Sequence, residues 1–345
     1  MKIETQDILN KWKLYTLTNN NGMTVSFLNF GGIITDISVP NRHNQLENVV
    51  LGYTNYTDYE ENPNFFGAII GRVAGRIQDA SFTIQDQPYS LAANEGGHHL
   101  HGADEGFHQV IWQSSPFQSD DTVGVKLNHK SLDGEGGYPG TIEVAVTYTL
   151  TNNNELILDY SGTSDKTTVL TMTNHSYFNL SGNLAATIHN HHVTMESDDF
   201  VELDTELIPT GKKINVVNTP FDFRTGRKLV DGINSISTQN RVANHGYDHY
   251  FILNQTQQQN IRVKEETSGR LMTIKTNQPG VVMYTSNTLD EGLNLAEGNS
   301  KPYLGVCFET QASPASLHHK GFPSVILEAH ELYDKQTVFS FGIEG

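Results

Sequence analysis

The chain has 345 residues, of which 37% are hydrophobic and 18% are charged, and these values are typical of a globular protein. Its 22 lysines and arginines against 39 aspartates and glutamates give a net charge of −17, which disfavours binding to nucleic acid, to anionic lipid surfaces and to strongly anionic substrates. A small neutral polar ligand suits this charge best.

The cysteine content and the termini narrow the class of protein further. The single cysteine, Cys307, excludes an internal disulfide and a cysteine-based metal site. The N-terminal stretch lacks the apolar core of a signal peptide, and no later stretch approaches the roughly 18 consecutive apolar residues of a membrane span. We therefore expect a cytoplasmic protein without membrane contact. Because no linker or repeat divides the sequence, we expect residues 1–345 to form one domain, as a monomer or a homodimer.

Hydrophobic and polar residues alternate along most of the chain, which is typical of half-buried antiparallel strands. The pair Asn21-Gly22 predicts a hairpin turn before a strand at residues 23–30. Residues 141–150 alternate cleanly, and residues 260–266 and 269–276 predict another hairpin.

Residues 56–62 predict a single helical turn that ends at Pro63, and no long helix is indicated elsewhere. The pattern as a whole predicts an all-β fold, a large antiparallel β-sandwich with few short helices.

Two arginines, Arg72 and Arg76, lie among small and apolar residues with glycines at positions 67, 71 and 75. This glycine spacing matches neither common phosphate-binding loop. A guanidinium in apolar surroundings needs a partner, because burying an unpaired charge is costly. Each arginine is therefore either part of a structural salt bridge or part of a binding site.

Three histidines, His98, His99 and His101, occur within four residues of a Gly-rich loop. Such a cluster suggests a metal site, but zinc usually needs further ligands at helical or knuckle spacing, and none follows. We favour a loop that presents His101 to a cleft, with His98 and His99 facing solvent, and we expect no metal.

The stretch from residue 169 to residue 182 begins as a strand and delivers Asn174, His175, Ser176, Tyr177 and Asn179 together. Histidine is suited to proton transfer near neutral pH because its ordinary pKa is about 6.5. We interpret this histidine as a general acid in a polar pocket. The alternative is a strand end whose polar groups cap a turn and whose histidine is simply half exposed.

Glu309, the proposed partner of His175, lies with Gln311 on one face of a predicted strand at residues 304–311, opposite Val306 and Phe308. A carboxylate accepts a proton at neutral pH, and its charge would keep a neighbouring imidazole partly protonated. Such a pair takes a proton from one oxygen and gives one to another. Two carboxylates would suit glycosidic bond cleavage better.

Several stretches, in order along the chain, resemble the aldose 1-epimerase (galactose mutarotase) family. They are residues 71–77, 100–102, 136–140, 173–180, 208–211, 247–249, 278–280 and 309–311. The resemblance implies a galactose mutarotase-like β-sandwich that interconverts the α and β anomers of hexoses such as galactose and glucose, without a cofactor.

The same resemblance implies roles for individual residues. By this resemblance, Glu309 matches the general base that takes the C1 hydroxyl proton, and His175 matches the acid that protonates the ring oxygen. The residues implied to hold sugar hydroxyls or line the pocket are Arg76, His101, Asp248, Gln278 and Tyr177.

Two positions depart from the family pattern. Gly75 stands where the family often has Asn, which puts one sugar contact in doubt, and Met283 replaces a commonly aromatic residue, which puts stacking on the sugar in doubt. The rival interpretations are a hexose-6-phosphate 1-epimerase, a non-catalytic sugar-binding protein, and a hydrolase or lyase in which Asp248 would serve as the second carboxylate.

Overall fold

The alternating sequence folds into antiparallel strands, and the structure, a computed structural model, describes residues 1–254 and 261–344. The N-terminal sheet is a five-stranded meander in which each strand pairs with the next along the chain. Its strands are Lys2–Ile8, Trp12–Thr18, Thr24–Leu28, Ile34–Pro40 and Leu46–Asn48. Thr18 pairs with Thr24, and Gly22 adopts a positive φ of 85°, so the predicted hairpin at Asn21-Gly22 is confirmed.

A nine-stranded sheet forms the largest described layer. In spatial order its strands are Gln113–Gln118, Thr122–Ser131, Ile142–Thr151, Glu155–Ser164, Tyr333–Ile343, Arg270–Thr276, Ile261–Lys264, His192–Met195 and Arg227–Lys228. The C-terminal strand thus lies between two strands that are far apart in sequence. The hairpin predicted for residues 260–276 is confirmed for the two paired strands, while residue 260 lies outside the described residues.

A six-stranded sheet carries most of the residues that matter for function. In spatial order its strands are Tyr177–Phe178, Val306–Gln311, Gly280–Tyr284, Asp248–Leu253, Ser197–Leu203 and Pro209–Asn215.

Short strand pairs and helical turns connect these sheets. The pairs are His99–Leu100 with Arg76–Ile77, Thr168–Val169 with Ile326–Leu327, Thr173–Asn174 with Ile69–Ile70, Asn294–Leu295 with Gly298–Asn299, and Ser81–Ile84 with Gln87–Ser90. The α-helices are Val230–Ile233 and Thr238–Val242. The 3-10 helices are Tyr56–Glu60, Gln78–Ala80, Ala103–Glu105, Phe107–Gln109, Glu135–Gly137, Ile188–Asn190 and Pro314–Leu317.

The hydrophobic core joins the three larger sheets. One buried cluster includes Phe27 of the N-terminal sheet, Val146 and Leu156 of the nine-stranded sheet, and Phe251 and Val281 of the six-stranded sheet. Along Ile142–Thr151, the residues of the predicted inward face are buried. The predicted all-β sandwich with few short helices is therefore confirmed. Of the helices in the described residues, none is long and apolar enough to cross a membrane.

The stretch from residue 169, which was predicted to begin as a strand, does not continue as one regular strand. Thr168–Val169, Thr173–Asn174 and Tyr177–Phe178 pair with three different partners. The segment crosses from one layer to another, and its backbone bonds with a succession of neighbours, including the carbonyls of Val325 and Arg72.

Two buried arginines stabilise the layers. Arg270 is 1% exposed, and its Nη2 lies 2.5 Å from Glu47 Oε2, linking the nine-stranded sheet to the N-terminal sheet. Arg72 donates to Ser131 Oγ and to backbone carbonyls, including that of Leu132 at 2.8 Å. Burial lowers the pKa of Arg72 to about 10. These contacts give Arg72 a structural role, and it forms no ion pair with any residue that the structure describes.

Candidate active site

The ends of several strands meet around a cavity of about 280 Å³. Glu309 projects from Val306–Gln311, and Asp248 begins the strand two positions away in the same sheet. Arg76 and Leu100 pair across a short ladder that leads directly to His101. Residues separated by more than 200 positions in the sequence, such as Arg76 and Glu309, thereby reach one cavity.

The centre of the cavity is a buried imidazole–carboxyl pair. His175 Nε2 lies 3.5 Å from Glu309 Oε1, and the side chains are 6% and 4% exposed. The other ring nitrogen, Nδ1, lies 3.6 Å from the sulfur of Cys307. The rings of Phe65 and Tyr177 lie 5.8 and 5.1 Å from the imidazole, measured between centroids, and restrict its orientation.

Burial controls the protonation of this pair. It lowers the pKa of His175 to about 4 and, with the nearby charge of Asp248, raises the pKa of Glu309 to about 8 against the opposing effect of Arg76. The expectation that Glu309 keeps His175 partly protonated is therefore wrong for the unliganded cavity, because desolvation of the imidazole outweighs the attraction of the carboxyl group. Between about pH 4 and about pH 8, the His175–Glu309 pair therefore holds one proton.

His101 enters the site as a neutral hydrogen-bond donor. Its Nδ1 accepts a hydrogen bond from the Gly75 backbone N–H at 3.1 Å, which leaves the ring proton on Nε2. Burial also holds the pKa of His101 well below its usual value. The backbone N–H at position 75 therefore fixes the tautomer of a cavity histidine, and this contact does not depend on which side chain stands there.

Potential metal ligands also converge at this point. One ligand atom each from His101, His175 and Glu309 lies within 4.8 Å of the others. A metal would require His101 to give up the hydrogen bond from Gly75, since Nδ1 accepts it and Nε2 carries the proton. The present donor set therefore fits a hydroxyl-bearing ligand better than a metal ion.

Arg76 forms the charged wall of the cavity. Its Nε and Nη2 donate to the two carboxylate oxygens of Glu95 at 2.6 and 2.8 Å, and its Nη1 lies 3.8 Å from Asp248 Oδ2. Burial raises the pKa of Asp248, and the charge of Arg76 offsets part of that effect. The salt-bridge alternative for Arg76 is therefore confirmed, and its ion pairs lie in the wall of the cavity.

Comparison with known proteins identifies the family. A family model described as "Aldose 1-epimerase" matches residues 13–340. The chain belongs to the aldose 1-epimerase family. The expected enzyme class, an isomerase, is thereby confirmed.

Relatives and solved structures extend this likeness over nearly the whole chain. Galactose mutarotases of Bos taurus and Homo sapiens are each 37% identical over 324 residues, covering 93% of this chain and 92% of the relative. The aldose 1-epimerase of Streptococcus thermophilus is 34% identical over 334 residues, covering 94% of this chain and 93% of the relative.

Two crystal structures match at 27% identity. An aldose epimerase homologue from C. elegans has a TM-score of 0.88, and the match covers 97% of this chain and 100% of that chain. Galactose 1-epimerase from Lactobacillus acidophilus has a TM-score of 0.87, and the match covers 100% of both chains.

Most of the residues singled out by the family resemblance meet at the cavity. Its described lining includes Glu309, His175, Arg76, His101, Asp248 and Tyr177. Gln278 is not among the described residues of the lining. It is 1% exposed, and its side-chain amide donates to the Met172 carbonyl at 3.3 Å and to the Tyr333 hydroxyl at 3.1 Å. These contacts place it between strands rather than at the site.

Three further expectations about side-chain position were wrong. His98 and His99 do not face solvent: they are 7% and 0% exposed, and His99 bonds to the Tyr138 hydroxyl at 2.7 Å. Met283 lies in the hydrophobic core, while its neighbours Val282 and Tyr284 line the cavity. Replacement of an aromatic residue at 283 therefore changes core packing and not a sugar-stacking surface.

Sequence reasoning did not single out Phe65 and Glu95, which line the cavity, or Cys307, which contacts the imidazole from behind. The period of two along a strand, which places Gln311 on the same face as Glu309, could also have identified Cys307 two residues before Glu309. Because Arg76 was expected to need a charged partner, Glu95 in the nearby Gly-rich loop was a candidate for that partner. The sequence carries no comparable signal for Phe65.

Proposed function

We propose that this member of the aldose 1-epimerase family interconverts the α and β anomers of a small neutral hexose, such as galactose or glucose. The observation that carries the proposal is the buried His175–Glu309 pair, 3.5 Å apart, in the wall of a sugar-sized cavity. A volume of about 280 Å³ falls just below the roughly 300–1,000 Å³ of pockets for drug-sized ligands, which suits a single monosaccharide.

In the proposed mechanism Glu309 takes the proton of the C1 hydroxyl while His175 gives a proton to the ring oxygen. The C1–ring oxygen bond breaks, and the open-chain aldehyde forms. Rotation about the C1–C2 bond exposes the other face of the aldehyde. Ring closure with the two roles reversed yields the other anomer and returns both protons, so the enzyme is unchanged.

The protonation state of the pair fits this cycle. The working form is an ionised Glu309 beside a protonated His175, and it contains the same single proton as the neutral form that burial favours. A bound sugar stabilises the working form, since the C1 hydroxyl donates to the carboxylate and the ring oxygen accepts from the imidazolium. Substrate binding and activation of the pair are thereby coupled.

The remaining cavity residues suit the binding of hydroxyl groups. Asp248 offers acceptor oxygens, Arg76 Nη1 offers a donor, and His101 offers its Nε2–H. Tyr177 donates its own hydroxyl to the Asn64 carbonyl at 3.0 Å, so it contributes a fixed ring surface to the cavity.

Polarimetry of freshly dissolved α-galactose tests the proposal. We expect wild-type protein to accelerate equilibration and Glu309→Gln and His175→Asn each to lose about two or more orders of magnitude in rate. Glu143→Gln is a matched control, because Glu143 is exposed and pairs with Lys130 on the surface. A wild-type rate no faster than buffer would favour a sugar-binding protein without catalysis.

A further inference from the structure

The guanidinium of Arg76 is occupied by Glu95 in a geometry that normally binds anionic ligands. Two parallel hydrogen bonds, at 2.6 and 2.8 Å, engage Nε and Nη2 with both oxygens of one carboxylate. Arginine recognises phosphate and carboxylate groups through this same fork. We infer that Glu95 makes the site selective for uncharged sugars, by filling the Arg76 fork and adding a negative charge to the cavity wall; this rests on the proposed function.

The charge distribution of the cavity supports this inference. Arg76 is the one lysine or arginine among the described residues of the lining, whereas Glu95, Asp248 and Glu309 all contribute carboxyl groups. With one proton held by the His175–Glu309 pair, two negative charges oppose the single guanidinium. An anionic sugar would meet net repulsion there, and a neutral sugar would not.

The position of Glu95 makes it a separable part of the site. It lies in the loop between Gln87–Ser90 and His99–Leu100, and its side chain is 38% exposed. Its backbone exchanges hydrogen bonds with His98 at 3.2 and 2.9 Å, and these contacts of the loop do not involve the carboxylate. Asp248, in contrast, begins a strand of the main sheet and contacts Arg76 at 3.8 Å from the other side.

Glu95→Gln tests the inference, since it removes the charge and keeps the shape of the side chain. The kcat/KM for anomer interconversion is measured for galactose and for galacturonate, which carries a carboxylate at C6. We expect the galacturonate-to-galactose ratio to rise roughly tenfold in this variant at low ionic strength, from the Coulomb energy of one charge at about 8 Å in an effective dielectric of about 20 to 40. The rise should largely disappear at about 1 M salt.

Two further variants separate charge from positioning. Glu95→Asp keeps the charge but is too short to fill the Arg76 fork, so we expect kcat/KM to fall for both sugars while the ratio stays near the wild-type value. Glu143→Gln removes an exposed charge that is not among the described residues of the cavity lining, and the ratio should not change. An unchanged ratio in Glu95→Gln, or an equal loss for both sugars, overturns the inference and leaves Glu95 a purely structural residue.

Calorimetric affinities of the same two sugars keep this test independent of turnover. A wild-type protein that binds galactose without accelerating its equilibration would contradict the proposed function, and the affinity ratio would still test the selectivity. Absence of measurable galactose binding together with absence of turnover would overturn both.

Discussion

The rate of anomer interconversion should follow a bell-shaped dependence on pH, with limbs near 4 and near 8. Catalysis requires the His175–Glu309 pair to hold one proton. Below the pKa of His175, at about 4, the pair holds two protons and has no base; above the pKa of Glu309, at about 8, it holds none and has no acid. These limits belong to the pair, whichever residue carries the proton between them.

The size of the effect follows from these values. At about pH 10, two units above the upper limb, only about one molecule in a hundred retains the proton, so kcat/KM should fall about 100-fold from its plateau. The upper limb should also move in Asp248→Asn. Because the charge of Asp248 helps to raise the pKa of Glu309, its removal should shift that limb toward lower pH.

Polarimetry or NMR with α-galactose provides the assay, with the spontaneous rate subtracted at every pH because base itself catalyses mutarotation. Circular dichroism at each pH establishes that the protein remains folded. A kcat/KM that stays flat from about pH 6 to about pH 10, or an upper limb that Asp248→Asn leaves in place, would refute the one-proton mechanism.

Three further predictions concern stability and the boundary of the site. Burial raises the pKa of Glu309, so the native state loses stability as pH rises from 4.5 towards 8. The Glu309→Gln variant should therefore have a free energy of unfolding about 1–3 kcal/mol above that of wild type at about pH 9, and nearly the same value at about pH 4, as measured by urea denaturation. Glu47→Ala leaves Arg270 buried without its carboxylate, so it should lower the free energy of unfolding by about 2–4 kcal/mol, and adding Arg270→Met should restore part of that loss. Gln278→Ala should cost about 1–2 kcal/mol of stability and leave kcat/KM for galactose within about threefold, since its amide bonds to Met172 and Tyr333; a large rise in KM would instead place it in the sugar site.

Local patterns were sufficient for the regular part of the fold. The alternation in residues 141–150 predicts an inward face that is buried in the structure, and the Asn21-Gly22 turn follows from the φ values that a tight hairpin requires. The broken stretch around His175 could not be predicted this way. Its short segments pair with strands that are distant in sequence. The alternation of hydrophobic and polar residues within one segment does not indicate which strand that segment pairs with.

The site shows a similar division between residue identity and environment. Family resemblance singled out the chemical groups that meet at the cavity, but it did not predict their protonation. The pKa values of His175 and Glu309 shift because both side chains are almost completely buried, and burial is a property of the assembled layers. Considering only the charge of the neighbouring carboxylate therefore predicted the wrong direction for the pKa shift of His175.

The break in the central stretch explains how the imidazole is held in place. Thr173–Asn174 pairs with Ile69–Ile70, and Tyr177–Phe178 pairs with Val306–Gln311, the strand that carries Glu309. His175 lies between these two pairings, where its backbone N–H donates to the Ala68 carbonyl at 2.9 Å and its own carbonyl accepts from the Gly67 N–H at 3.1 Å. A regular strand would continue with one partner. Here the chain keeps its first partner through His175 and changes partner at Tyr177, so the backbone of His175 is fixed next to the strand that carries Glu309, and a proton-transfer contact requires such positional control.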